Sequence, residues 1–119
     1  MLVIREAQMA ALQAAMLRRF EPRVARYLRD RLPERVSDLD GPQLEQRVNE
    51  IFGRARKHGI VIEWDLCRYA FLDVVLGPDF DARCAWAATI FANPDLDTTQ
   101  KTATALEYYL NYLDVSDHG

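Results

Sequence analysis

The sequence predicts an all-α fold, a single compact bundle of about five helices around a central apolar helix. Three observations carry that reading. The stretch 59–81, GIVIEWDLCRYAFLDVVLGPDFD, is apolar nearly all round when projected at about 100° per residue, and it stops at Gly77-Pro78, a glycine past a helix end followed by a proline that cannot continue it. The segments flanking it repeat apolar residues at helical spacing between turn signals. No run reads as a strand except Ile60 to Ile62, which is too short to pair without a partner run. With 119 residues, half of them apolar, the chain suits one domain, 1–119, with one core.

The first helix is expected from Arg5, with Met9, Leu12, Met16 and Phe20 at helical spacing among alanines that favour helix. Val24, Tyr27, Leu28 and Leu32 carry the stripe onward, so Pro22 is expected to kink the helix and Pro33 to end it. SDLDGP at 37–42 has turn chemistry, with Asp40 placed as an N-cap and Pro42 in the first turn. The second helix, 42–58, buries Leu44, Val48, Ile51, Phe52 and Ala55 and closes on Gly59, with Arg54, Arg56, Lys57 and His58 at the negative end of its dipole.

The central helix is expected over 63–76, with Trp64, Leu66, Cys67, Ala70, Phe71, Val74 and Val75 filling about half its circumference. Pro78-Asp79-Phe80-Asp81 and Pro94-Asp95-Leu96-Asp97 then punctuate the chain. In each, proline stops one helix, the last aspartate caps the next, and the residue between packs back as a staple. A short fourth helix is expected over 83–92 with Trp86, Ala87, Ile90 and Phe91 buried. A fifth runs from Asp97 to about Leu113, with Gln100 completing a capping box and Leu106, Tyr109, Leu110 and Leu113 facing the core. The tail 114–119 is short, acidic and expected to fray.

The totals narrow the function classes. The start of the chain lacks the apolar core of a secretory leader, and no run approaches the length that spans a bilayer, so a cytoplasmic protein with reduced Cys67 and Cys84 is expected. The net charge of −3 hides a polarised chain: residues 1–60 carry twelve Arg or Lys against eight Asp or Glu, and residues 61–119 carry three against ten. Such asymmetry steers charged partners or favours head-to-tail contact, unless it is only a solvated surface.

Catalytic and metal chemistry is not legible. Neither Pro-Asp-x-Asp element supplies the glycine or the bidentate acid of a calcium loop. Cys67, Cys84, His58 and His118 lack zinc-site spacing, and no glycine-rich phosphate loop occurs. The carboxylate pairs Glu63 with Asp65 and Asp79 with Asp81 stand at helix starts, where the dipole favours acids. Nucleic acid is disfavoured because the helix that would enter a groove opens Glu63-Trp64-Asp65 and contains Asp73. A non-enzymatic protein without cofactor or metal follows as the expectation.

The segments RRFEPRVARYLRDRLPE, ARKHGIVIEWDLCRYAFLDVVLGPDFD and WAATIFANPDLDTTQKTATAL together resemble a family of small helical bacterial proteins of obscure function. Their genes lie beside VgrG or PAAR spike components and effectors of type VI secretion systems. The residues that carry the likeness are Arg56, Gly59 and Ile60, then Asp65, Arg68 and Tyr69, then Leu76, Gly77, Asp79, Phe80 and Asp81; Ile62 departs from it where a Ser or Thr cap is expected. The resemblance implies an adaptor or chaperone that holds an effector or spike protein, or alternatively an immunity protein that neutralises a toxin. A small ligand-binding or enzymatic bundle is the competing class.

The candidate partner-binding residues are Tyr108 and Tyr112, one turn apart and off the expected core stripe of the fifth helix, with Arg19, Arg23 and Arg26 on the basic first helix. Partners expected are protein, with no nucleic acid and no membrane, and self-association is left open.

Overall fold

The computed structural model describes residues 6–113, and His118 and the tail 114–119 lie outside them. The elements are α1 Glu6–Arg31, α2 Pro33–Val36, α3 Gly41–Arg56, α4 Glu63–Leu76, α5 Phe80–Arg83, α6 Ala85–Ala92 and α7 Thr98–Tyr108, the last continued by a π-helical turn Tyr109–Leu113. No strand occurs among the described residues, and no helix among them is long and apolar enough to cross a membrane. The fold is all-α, as the sequence predicts.

α4 is the hub. It packs against α1, α3, α5 and α7, and Leu66, Cys67, Tyr69, Ala70 and Leu72 are buried along it. It opens at Glu63 with Ile62 as an N-cap that supplies no side-chain bond. Phe71 and Trp64 are less covered than expected: Phe71 is half-buried, and Trp64 stands out in solvent with its ring edge-on to Tyr27 at 6.0 Å. The largest wholly buried side chains are instead Tyr69 and Phe80.

Two capping boxes set the frame: the one at Asp97 is as expected, and the expected N-cap Asp40 proves to be part of a second, with Gln43. Asp40 accepts from the Gln43 amide at 2.8 Å while the Gln43 side chain accepts from the Asp40 amide at 2.9 Å. Asp97 and Gln100 repeat this at 2.8 and 2.9 Å. Gly59, at φ +74°, reverses the chain after α3 so that the Ile60 amide reaches the Ala55 carbonyl at 3.2 Å and Ile60 drops into the core.

α1 continues through Pro22 to Arg31 and Pro33 ends it, as expected, and Pro33 also opens the one-turn α2. Other expectations change. The expected fourth helix over 83–92 is divided: Cys84 is extended, with α5 before it and α6 after. Asp81 caps nothing. It lies inside α5, whose N-cap position is Asp79 in a left-handed conformation. In α7 and its extension Thr102, Ala105 and Tyr109 are buried, whereas Leu110 and Leu113, expected in the core, face solvent. The π turn accounts for this: five-residue hydrogen bonding widens the helix and shifts every side chain after Tyr109 around the axis.

A candidate protein-interaction face

The acidic residues of α4 and α5 do structural work that helix-dipole preference does not describe. Asp73 is buried and accepts from Arg54 Nε and Nη2 at 3.1 and 2.8 Å, with Arg47 3.6 Å away. Asp65, also buried, accepts from the Thr99 and Thr98 hydroxyls at 2.9 and 3.3 Å, tying the first turn of α4 to the first turn of α7. Asp81 takes bonds on one oxygen from His58 Nε2 and from the Tyr69 hydroxyl. The contacts of Arg54 and Arg47 with Asp73 join cations of the first half of the chain to an acid of the second. Part of the sequence's charge polarity is thus spent inside the fold, and with Arg23 on Glu63 at 3.4 Å it crosses from α1 to α4 as well.

The imidazole, phenol and carboxylate of His58, Tyr69 and Asp81 resemble catalytic parts, yet each is engaged by protein. The rings of Phe80 and Phe91 lie 5.2 and 5.9 Å from that of Tyr69, and Phe91 lies 5.2 Å from His58. Burial, then the Asp81 charge and hydrogen bond, push the Tyr69 phenol far above its ordinary value. Burial likewise pushes the Cys67 thiol up to about 11, with Glu63 adding to the shift, which leaves a thiol and not a nucleophilic thiolate at neutral pH. Among the described residues no group of three or more His, Cys, Asp or Glu is placed to hold a metal ion.

The residues singled out for partner binding fall into two sets. Tyr108 is half-buried and stacks on Trp86, with ring centroids 4.6 Å apart and planes at 22°; Tyr112 leans on Tyr108 at 5.1 Å and is 72% exposed. Tyr108 therefore roofs the α6–α7 contact, and Tyr112 is the projecting ring. Arg19, Arg23 and Arg26 are exposed on α1. No hydrogen bond, ion pair or ring contact joins the two sets among the described residues.

What the arginines do share is a face with residues of the apolar stripe that the sequence marks on the first helix. Met9, Leu12 and Met16 are 44%, 57% and 52% exposed. With Leu17 and Val61 they line a shallow apolar groove of about 290 Å³, and Ile62 and Trp64, also exposed, follow directly from Val61. The reason is geometric. Residues four apart advance about 40° beyond a full turn, so the series Leu12, Met16, Phe20, Val24, Leu28 winds some 160° around α1. The bundle covers Leu17, Val24, Ala25 and Leu28 and leaves the start of the winding stripe open.

Each large apolar side chain left in water forgoes roughly 1.5–3 kcal/mol of burial. An uncovered cluster of them beside charged residues is the usual mark of an interaction site. The site thus defines a helical domain with an open amphipathic face on α1. No family model, curated protein or solved structure matches the chain.

Proposed function

We propose that this chain is a protein-binding accessory without turnover, which docks a partner on the open face of α1. The observation that carries the reading is the exposed Met9, Leu12 and Met16 cluster continuing into Arg19, Arg23 and Arg26. An adaptor or chaperone that holds a type VI secretion effector or spike protein, the role implied by resemblance, needs a surface of this kind. So does an immunity protein, and growth rescue on co-expression with a toxic partner separates the two.

The test is co-expression of the tagged chain with the products of neighbouring genes, in parallel with Leu12→Asp and with Tyr112→Ser. A partner retained by the parent and by Tyr112→Ser but lost by Leu12→Asp supports the α1 face. If every retained partner survives Leu12→Asp, the reading fails.

A further inference from the structure

The exposed face of α1 is a straight seam. Met9, Leu12, Met16, Arg19, Arg23 and Arg26 follow at steps of three and four, the spacing by which one helix presents a continuous edge to another. All six are exposed. Over about 26 Å, at 1.5 Å per residue, the seam is apolar in its first half and basic in its second.

We infer that this seam takes an amphipathic helix running antiparallel to α1, acidic in its N-terminal half and apolar in its C-terminal half. The inference rests on the protein-binding reading above and names the partner's chemistry. Charge complementarity sets the acidic half. Among the described residues Arg19 and Arg26 form no ion pair, and Arg23, paired at 3.4 Å with Glu63, keeps its side chain 70% exposed. The helix dipole sets the direction: acids are favoured near a helix N-terminus, so a partner whose first turns lie over the arginines has charge and dipole in agreement. The groove wall is in place, because Val61 lines it and the Arg23–Glu63 and Tyr27–Trp64 contacts hold the start of α4 alongside.

Two other occupants fit less well. A second copy aligned antiparallel along the whole seam sets Met9 against Arg26 and Leu12 against Arg23, and it offers arginine where the seam needs acid. A helix lying on an anionic membrane carries its apolar stripe along its full length with cations at the sides. Here apolar and basic residues succeed one another along a single line.

The experiment uses the full chain and fluorescein-labelled synthetic helical peptides of about 18 residues, long enough to span the seam. One carries glutamate at the first three seam positions and leucine at the last three; the other has the same residues in reverse order. Fluorescence anisotropy is expected to show the acid-first peptide binding at least about tenfold tighter than its reverse. Its affinity should fall as salt rises, and Leu12→Asp should abolish it. Arg19→Glu with Arg26→Glu should move the preference to a lysine-first peptide, an outcome unfolding cannot produce. Equal binding of the two orders overturns the inference, as does competition by phosphatidylserine vesicles or a dimer of the chain alone that Leu12→Asp dissolves. If the peptides fail while a co-expressed partner is still lost on Leu12→Asp, the helical partner is wrong and the protein-binding reading stands. If the co-expressed partner survives Leu12→Asp, the reading itself falls.

Discussion

α4 and the first three turns of α1 both set large apolar residues at helical spacing, and the fold treats them oppositely. α4 is packed against four other helices, and its polar residues Asp65 and Asp73 are buried with partners. α1 is covered on one side only, by Leu17, Val24 and Leu28 meeting α3 and α4, while Met9, Leu12 and Met16 face water. Helical spacing of apolar residues therefore does not by itself decide burial; the number of neighbouring elements matters as well. A residue on the hub must satisfy the core whether it is apolar or charged, and Met9, Leu12 and Met16 at the start of α1 meet no such demand within the described fold.

Substitutions sharpen that contrast, and the largest effect belongs to the hub. Tyr69→Ala removes a wholly buried ring and the hydroxyl that bonds Asp81, and should cost about 3–5 kcal/mol in urea unfolding. Phe71→Ala, at a half-buried ring 5.9 Å from Tyr109, should cost distinctly less. Equal losses would mean that Phe71 belongs to the same core. Next comes Arg54→Ala, which strips the closest cation from buried Asp73 and leaves Arg47 at 3.6 Å. A loss of about 3 kcal/mol is expected, and adding Asp73→Ala should recover part of it, because a buried unpaired charge is costlier than no charge. A double variant weaker by the full sum of the singles would contradict this coupling.

Much of the frame was legible in the sequence because it is written in short-range chemistry. Asp40 as an N-cap, Asp97 with Gln100, and Gly59 each act within a few residues of themselves, and each does what the sequence predicts. The break at Cys84 was not legible, since no proline or glycine marks it. The acids were a missed signal. On a helix apolar nearly all round, Asp65 and Asp73 had to be buried, and a buried carboxylate needs a donor; the donors Arg54, Thr98 and Thr99 lie 19 to 34 residues away. The open seam was hidden for a different reason. The spacing of Met9, Leu12 and Met16 is that of any buried stripe, and only the position of the other helices shows that none of the described elements covers it.

Alkali tests the hub differently. The Cys67 thiol, ordinarily at 9.0 and pushed up to about 11, and the Tyr69 phenol, also raised from 10.0, lose their protons more readily in the unfolded chain. The unfolded state then binds fewer protons, so stability falls as pH rises. The contribution is fully present below about 9 and is lost as pH climbs through the folded values. Urea midpoints should hold between pH 7 and 8 and decline above about 9. Cys67→Ala should flatten the first part of that decline, and an unchanged alkaline slope in this variant would remove Cys67 from the explanation.

The smallest stability effect should come from the position with the largest proposed consequence for binding. Leu12 is 57% exposed, so replacing it by aspartate removes little buried area. Aspartate lowers helix propensity by a few tenths of a kcal/mol at this position, in the second turn of α1. The net change should stay within about 0.5 kcal/mol, with native helicity by circular dichroism and an unchanged urea midpoint. Leu17→Asp, on the neighbouring buried face, should by contrast destabilise severely, because an unpaired charge cannot enter the α1–α3–α4 contact. Two leucines five residues apart on one helix would then differ by several kcal/mol for the same substitution, in the order their burial sets. A midpoint for Leu12→Asp that drops as far as that of Leu17→Asp would show that the seam is already covered within the chain, and that the partner it awaits is part of the fold.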